Sequence, residues 1–326
     1  MPSVVALSGV CCDNSVTVKH ATRLDAIIAA GDSSPLVLKN PVMPASGTFG
    51  YGTEYGELLD IQKLGAIVTK GVTSVPWEGN AQPRIWETAS GVLNSVGLEN
   101  IGVEAVVRDK APLWATWDVP VIVNVAGHSV DEYVEVASAL DGIMGVAALE
   151  INISCPNVSH GGLEFGTDAV SASRLTAEVR AATGLPLIVK LTPNVTDVVS
   201  IASAVVDAGA NALCLINTLR GMAIDIEARK SRLGTPSGGL SGPAIMPVAL
   251  HMVHAVAHSV SVPVIGCGGI STAEDAIAFI MAGATAVQVG TATFTSPLSM
   301  LAIIEGISEF MLRHGVVDVA EIRGIV

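Results

Sequence analysis

Residues 262–292, VPVIGCGGISTAEDAIAFIMAGATAVQVGTA, combine two mainly apolar runs with a helical pattern between them. The runs VPVI and ATAVQV have the near-continuous apolar character of strands in a parallel sheet that is covered on both faces. The segment AEDAIAFIMAG carries apolar residues at spacings i, i+3 and i+4 and closes with Gly283, a common helix stop. This stretch therefore predicts one unit of a parallel α/β sheet.

The same unit recurs along the chain. Its apolar runs lie at 36–46, 65–71, 119–127, 147–155, 185–193, 210–218, 262–270 and 284–292. Eight strand–helix units favour an α/β fold of the (β/α)8 TIM barrel type, with an open doubly wound sheet as the alternative. We expect a single barrel domain over 33–326, preceded by an N-terminal extension over 1–32. The longer connections 72–100 and 219–242 are expected to lie over the C-terminal face of the barrel.

Composition narrows the class of protein. The chain has 326 residues, of which 50% are hydrophobic and 14% charged, which is enough to bury a large core. Its 17 Lys+Arg and 30 Asp+Glu give a net charge of −13, so neither nucleic acid nor an anionic membrane is expected as a partner. No run is apolar over a membrane-spanning length. The five cysteines are scattered, which disfavours disulfides and zinc sites and is typical of the cytoplasm; no metal is expected.

Polar side chains gather where the predicted strands end. The active sites of these barrels form at the C-terminal ends of the strands. The residues at those ends are Ser46, Lys70, Asn124, Asn152 with Cys155, Lys190, Asn217 with Thr218, Gly268 with Gly269, and Gly290 with Thr291. Each alone is explained equally well by a hydrogen-bonded strand cap. Together they predict one polar cup.

The last two strands end in glycine-rich turns, GCGGIST and VGTATF, that lead into helices. Backbone N–H groups and helix N-termini at such turns bind anions, and the loops after the seventh and eighth strands are the common phosphate site of this barrel. Gly242 could add another donor. We therefore expect a phosphorylated ligand. For Lys70 and Lys190, the residues leave open a Schiff base, a carboxylate contact and stabilisation of an anionic cofactor.

Cys155 stands at a strand end in the stretch EINISCPN, where Pro156 ends the ladder. A buried structural thiol suits Cys214 and Cys267 better, so we interpret Cys155 as a reactive group, a proton acceptor with a pKa near the free value of about 8.5. The segment 94–98, NSVGL, could offer consecutive N–H groups to a small anion, although an ordinary connection is the preferred interpretation.

The chain carries, in this order, the motifs NPVMPASGTFGYGTEYGE, GAIVTKG, GVLNSVGLEN, EINISCPN followed by HGGLEFGTD, IVKLTPN, INT, GGLSGPA, PVIGCGGI and VQVGTA. Over about residues 36–310, these motifs resemble those of the dihydroorotate dehydrogenases, and most closely those of the catalytic subunit of the class 1B, NAD-linked type. The resemblance implies an FMN-dependent barrel that oxidises (S)-dihydroorotate to orotate in de novo pyrimidine (UMP) biosynthesis. It implies that Cys155 removes the C5 proton while hydride leaves C6 for the flavin, and a cysteine here points to class 1.

The resemblance also assigns binding roles. The implied substrate residues are Lys70, Asn94, Ser95, Val96, Gly97, Leu98, Asn152, Asn157, Asn217 and Thr218. The implied FMN residues are Ser46, Lys70, Gly71, Asn124, Asn152, Lys190, Ile216, Gly242, Gly268, Gly269, Gly290 and Thr291. Lys190 is expected to offset the charge of the reduced flavin.

Relatives of class 1B pair with a subunit that carries FAD and a [2Fe–2S] cluster and passes electrons to NAD+. This sequence holds no cysteine cluster for iron–sulfur and no GxGxxG fingerprint, so that chemistry is expected on a partner. We expect a homodimer or a heterotetramer with such an electron-transfer subunit. The alternatives are a class 1A enzyme that uses fumarate, a flavin barrel acting on another pyrimidine such as uracil or thymine, and a phosphate-binding lyase or isomerase with a Schiff-base lysine.

Overall fold

The computed structural model describes residues 22–30, 35–154, 156–157 and 163–326. Its strands in chain order are β1 (Ala26–Ala30), β2 (Pro35–Leu38), β3 (Val42–Pro44), β4 (Ile67–Val68), β5 (Ile85–Thr88), β6 (Gly91–Asn94), β7 (Val121–Val125), β8 (Ala148–Asn152), β9 (Pro156–Asn157), β10 (Leu163–Glu164), β11 (Leu187–Lys190), β12 (Ala212–Leu215), β13 (Leu219–Gly221), β14 (Ile224–Asp225), β15 (Lys230–Ser231), β16 (Gly238–Ser241), β17 (Val264–Cys267) and β18 (Ala286–Val289).

Helices follow most barrel strands. They are α1 (Val103–Ala105), α2 (Ala111–Trp114), α3 (Val130–Leu140), α4 (Ala169–Ala182), α5 (Val198–Asp207), α6 (Met246–Ala257), α7 (Ala273–Met281), α8 (Ala292–Thr295) and α9 (Ser299–His314). A π-helical segment, Val106–Lys110, joins α1 to α2. Short 3-10 turns lie at Ile61–Lys63, Phe165–Thr167, Pro243–Ile245 and Val319–Ile322.

Eight parallel strands form the central sheet in the order β3-β18-β17-β12-β11-β8-β7-β4. Consecutive barrel strands are therefore neighbours, and at the remaining seam the N–H of Gly65 donates to the carbonyl of Val42 at 2.8 Å. The apolar faces of the surrounding helices pack against the outside of this sheet in one large core. The predicted (β/α)8 barrel is confirmed.

The predicted helix over AEDAIAFIMAG illustrates how locally these elements are specified. Helix α7 begins after Thr272, whose hydroxyl accepts from the N–H of Asp275, while the Asp275 carboxylate accepts from the N–H of Thr272. Its buried residues include Ile277 and Ile280, one turn apart, and the helix ends before Gly283. Capping and apolar spacing thus place α7 within two residues of the predicted bounds.

The apolar run predicted at 36–46 is not one strand. Pro35–Leu38 pairs antiparallel with β1, and only Val42–Pro44 enters the barrel. Asn40 turns the chain between the two, because its side-chain oxygen accepts from the N–H of Val42 and its amide donates to the carbonyl of Lys63. The β1–β2 hairpin packs its buried side chains, Ile28, Leu36 and Leu38, into the same cluster as the barrel interior. The hairpin therefore closes one end of the barrel.

The predicted domain boundary falls between the strands of this hairpin. Residues 26–30 belong to β1, so the described part of the predicted extension packs with the barrel. Arg23 forms an ion pair with Asp318 near the C-terminus of the chain. Residues 1–21 and 31–34 lie outside the described residues, and the division at residue 32 stays a prediction.

The two long connections meet in space. They form a four-stranded antiparallel sheet in the order β13-β16-β6-β5, in which Asn94 pairs with Gly239. Residues of this sheet line the mouth of the barrel, as the prediction of covering insertions requires.

Alternation along the barrel strands places a polar layer above the apolar interior. Ile122, Ala148, Ile188 and Ala286 belong to the interior cluster. Two residues further along the same strands, on the same face, come Asn124, Glu150, Lys190 and Gln288. All four are buried; Asn124 and Lys190 line the site, and Glu150 and Gln288 lie beneath them.

Candidate active site

A cavity of about 530 Å³ opens at the C-terminal mouth of the barrel, a size typical of ligand sites. It is lined by the predicted site residues Ser46, Lys70, Gly71, Asn94, Ser95, Val96, Gly97, Leu98, Asn124, Asn152, Lys190, Ile216, Asn217, Thr218, Gly242, Gly268, Gly269, Gly290 and Thr291. Cys155 lies outside the described residues, and so does the side chain of Asn157, whose backbone lies in β9. Their neighbours Asn152 and Ser154 line the cavity.

The floor of the cavity is a buried ionic network. Glu150 accepts a hydrogen bond from the amide of Asn124 at 2.7 Å and another from the amide of Gln288. The Lys190 ammonium donates to Gln288 Oε1 at 2.8 Å and lies 3.6 Å from Glu150 Oε1. A longer contact of 3.5 Å joins Lys190 to the hydroxyl of Ser46. Every charged group of this floor is therefore paired.

Lys190 remains a cation in this setting. Burial alone lowers the pKa of a lysine, but the charge of Glu150, with smaller contributions from Cys267 and Cys214, raises the pKa of Lys190 above its ordinary value. A Schiff-base lysine must lose its proton to attack a carbonyl. The network therefore disfavours the lyase or isomerase alternative at Lys190.

Sequence reasoning missed Glu150 and Gln288. Both lie inside apolar runs, ALEIN and AVQV, where a lone polar residue gives no motif. The available signal was chemical: a carboxylate in a buried strand requires a cation, and Lys190 on the neighbouring strand supplies it. Asn194, Arg220 and Ser241 also line the cavity and were not predicted.

Side-chain amides form one wall. Asn152 Oδ1 accepts from Asn217 Nδ2 at 3.1 Å and from the N–H of Ser154 at 3.2 Å. Asn217 Oδ1 in turn accepts from the N–H of Thr218 at 2.9 Å. These bonds fix the orientation of both amides. The side-chain N–H donors of Asn152 have no acceptor among the described residues. Strand β8 ends at Asn152, and Ser154 lies in the turn that follows it.

The segment 94–98 also lines the cavity and is therefore more than an ordinary connection. Asn94 is held by the carbonyl of Gly239, and Gly97 and Leu98 adopt positive φ angles of 75° and 62°. The N–H of Ser95 donates to the carbonyl of Arg84. Within the described part of the chain, the N–H groups of residues 96–98 have no acceptor, which suits a small anion.

Lys70 stands beside this segment at the mouth. Its ammonium lies 4.0 Å from Glu99 Oε2, and Arg84 binds the same carboxylate oxygen at 2.7 Å. Arg84 also donates to the carbonyls of Asn80 and Glu78. Glu99 is therefore compensated chiefly by Arg84, and Lys70 keeps charge available to a ligand.

Glycines line the side of the cavity formed by the last strands. A Cβ at Gly269, where φ is +78°, would lie 2.6 Å from Met246 Cβ and 2.9 Å from the carbonyl oxygen of Gly242, so no other residue fits there. Thr291 donates to the hydroxyl of Ser241 at 2.8 Å. Among the described residues, the N–H groups of Gly242, Gly268, Gly269 and Thr291 have no acceptor. Backbone donors in this glycine cradle are suited to an anionic group such as a phosphate.

Cys214 and Cys267 lie in the barrel interior next to Lys190, as expected of structural thiols. Burial raises the pKa of the Cys214 thiol. The hydrogen bond that Cys214 donates to Cys267 lowers the pKa of the Cys267 thiol. Cys267 also reaches the cavity lining.

Together, these features define a (β/α)8 barrel with a polar cavity at its C-terminal mouth. The profile of the dihydroorotate dehydrogenase family matches residues 33–311, and the chain belongs to this family. The family assignment and the oxidoreductase class predicted from the ordered motifs are confirmed.

Three relatives carry the name dihydroorotate dehydrogenase B (NAD(+)), catalytic subunit. The protein of Geotalea uraniireducens is 55% identical over 287 residues, 88% of this chain and 94% of the relative. That of Geotalea daltonii is 54% identical over 291 residues, covering 89% and 95%. That of Trichlorobacter lovleyi is 54% identical over 289 residues, with the same coverage. The predicted resemblance to class 1B is thereby confirmed. No helix in the described ranges is long and apolar enough to cross a membrane.

Proposed function

We propose that this chain binds FMN and oxidises (S)-dihydroorotate to orotate, a step of de novo pyrimidine (UMP) biosynthesis. The observation that carries the proposal is one cavity that is lined by the glycine turns, a buried lysine and a group of side-chain amides. Family membership over residues 33–311 supports the same reaction. FMN, when bound, supplies the two-electron acceptor of this oxidation.

The residues present fit FMN. The N–H groups around Gly242, Gly268, Gly269 and Thr291 would hold its phosphate, because unpaired backbone donors in a glycine turn bind anions. Lys190 would face the ring system from the floor and stabilise the negative charge that reduction adds. The remaining proposed cofactor residues, Ser46, Lys70, Gly71, Asn124, Asn152, Ile216 and Gly290, line the space between.

The substrate is a planar dicarbonyl ring with a carboxylate. Lys70 and the N–H groups of residues 96–98 would bind the carboxylate, since both offer donors at the mouth. Asn94, Asn152, Asn217 and Thr218 would bind the ring through amide and hydroxyl groups. Ser95 and Asn157 complete the proposed substrate residues.

Cys155 is the proposed base. Its thiolate would take the C5 proton of dihydroorotate, and the match of EINISCPN to the family motif supports this role. The strand before it is fixed, because Tyr133 donates its hydroxyl hydrogen to the carbonyl of Asn152 at 2.5 Å.

The proposed electron route leaves this chain through a partner. The relatives are named as catalytic subunits of an NAD(+) enzyme, which implies a second subunit. We expect FAD and a [2Fe–2S] cluster on that subunit, assembly as a homodimer or a heterotetramer with it, and a cytoplasmic location.

Ligand selectivity tests the proposal against a flavin enzyme for another pyrimidine. Purified chain reconstituted with FMN is titrated with orotate and, separately, with uracil, while the flavin spectrum is followed. The proposal expects a saturable spectral change with orotate that uracil does not produce at the same concentration. Failure to bind FMN, or equal responses to the two pyrimidines, would contradict it.

A further inference from the structure

Glu150 is a fully buried carboxylate that has no role in the proposed reaction. It projects from the middle of β8 into the barrel, below the cavity, and does not line the cavity itself. Its oxygens accept from Asn124 and Gln288 and face the Lys190 ammonium at 3.6 Å. A buried carboxylate is costly unless it is paired, so its position calls for an explanation.

Lys190 is the cation that pairs with Glu150. Its surroundings are Ser46 after β3, Glu150 on β8, Cys214 on β12, Cys267 on β17 and Gln288 on β18. Glu150 is the one carboxylate among these neighbours, and the two thiols are the other titratable groups. Lys190 also lines the cavity, so its ammonium joins the buried network to the ligand space.

We propose that Glu150 is a positioning residue that keeps the Lys190 ammonium protonated and directed at the cavity. The charge presented to a bound flavin then stays constant with pH. This inference rests on the proposed function for the flavin itself, but the protonation of Lys190 is a property of the chain alone.

The direction of the effect follows from the two opposing influences on Lys190. Burial favours the neutral amine, and the Glu150 charge overcomes it, so the pKa of Lys190 lies above its ordinary value. In a Glu150→Gln variant the amide keeps much of the shape but no charge. Burial is then opposed only by the smaller contributions of Cys267 and Cys214, and we expect the pKa of Lys190 to fall below its ordinary value of about 10.4.

The first test uses the flavin-free chain and thermal unfolding from pH 6 to 10. In Glu150→Gln, the unfolded chain binds more protons than the folded chain between the lowered pKa and about 10.4, so stability rises with pH there. In the wild type the folded pKa is the higher one, so Lys190 adds no such rise. The difference in unfolding temperature between the two proteins should therefore narrow as pH increases. Glu305→Gln, an exposed carboxylate on α9, controls for net charge.

The second test uses the FMN-loaded chain and the pH dependence of its reduction potential. In Glu150→Gln, reduction should take up one proton more per flavin within the window where Lys190 titrates. At a fixed potential, the ratio of reduced to oxidised flavin then falls by an additional factor of about 10 per pH unit relative to the wild type. Glu150→Asp, which keeps the charge, should retain the wild-type profile.

A double variant separates positioning from a merely structural role. In the double variant Glu150→Gln/Lys190→Met, neither pH effect should appear relative to the wild type, because neither the ammonium nor the buried carboxylate remains to titrate. A pH-independent difference for Glu150→Gln, or a pH effect that persists in the double variant and so belongs to Cys214 or Cys267, overturns the inference. Should Glu150→Gln yield no folded protein, its rescue by Lys190→Met supports the inference and lack of rescue contradicts it. A chain that binds no FMN contradicts the proposed function but leaves the first test intact.

Discussion

Replacing Gly269 by alanine tests the glycine cradle. The added Cβ would lie 2.6 Å from Met246 Cβ and 2.9 Å from the Gly242 carbonyl oxygen, so either the turn or the start of α6 must move. The residue also has a φ of +78°, which costs an L-residue about 1–2 kcal/mol. The displaced groups include N–H donors that we assign to the FMN phosphate.

The expected loss of FMN affinity follows from one disrupted hydrogen bond. A hydrogen bond to a charged group contributes about 1.5–3 kcal/mol, which corresponds to about 10- to 150-fold in Kd. Gly315→Ala is the matched control: Gly315 has a similar φ of +69°, but nothing lies within 4 Å of its added Cβ. The control shares the backbone strain and leaves the cradle intact.

FMN fluorescence quenching on titration with flavin-free protein measures both Kd values. Thermal unfolding without FMN shows whether the two variants are equally folded; each kcal/mol of strain should lower the midpoint by about 1.5 °C in a chain of this length. We expect a weakened Kd for Gly269→Ala and an unchanged Kd for Gly315→Ala. Equal, wild-type affinity in both variants would refute the assignment of the phosphate to this cradle.

Three further variants test the proposed base, the contact to the substrate carboxylate and the closing hairpin. Cys155→Ser should retain FMN and slow flavin reduction by dihydroorotate about 10²-fold or more in stopped-flow measurements; an unchanged rate would remove Cys155 from the mechanism. Lys70→Ala should weaken orotate binding about tenfold or more, whereas exposed Lys63→Ala should not; equal Kd values would contradict the carboxylate role. Leu38→Ala should lower the unfolding free energy by about 2–5 kcal/mol, against about 0.5 for Val37→Ala on the exposed face of the same strand; similar losses would contradict the closing hairpin.

The sequence was sufficient to predict the barrel and most of the cavity lining. Parallel strands converge at their carboxyl ends, so residues such as Lys70, Asn124 and Lys190 share one site once the strands are located. The apolar runs locate them, because buried parallel strands carry little else. For the barrel strands, the local apolar pattern therefore agrees with the fold.

Other features depend on contacts between distant segments. Asn94 is held by Gly239, 145 residues away, so the segment 94–98 resembled an ordinary connection until the two insertions were paired. Similarly, β2 joins β1 below the barrel although its sequence runs on towards β3 as one apolar stretch. Glu150 becomes interpretable only beside Lys190 on the adjacent strand. Sequence periodicity records which face a residue occupies but not which distant group it meets.

An anaerobic single turnover is the most direct test of whether this chain oxidises dihydroorotate to orotate. The FMN-loaded chain, without any partner subunit, is mixed with one equivalent of (S)-dihydroorotate while flavin absorbance is recorded, and the product is then quantified. The flavin absorbance should bleach, and one orotate should form per flavin reduced. A flavin that stays oxidised, or that bleaches without forming orotate, would contradict the proposed function.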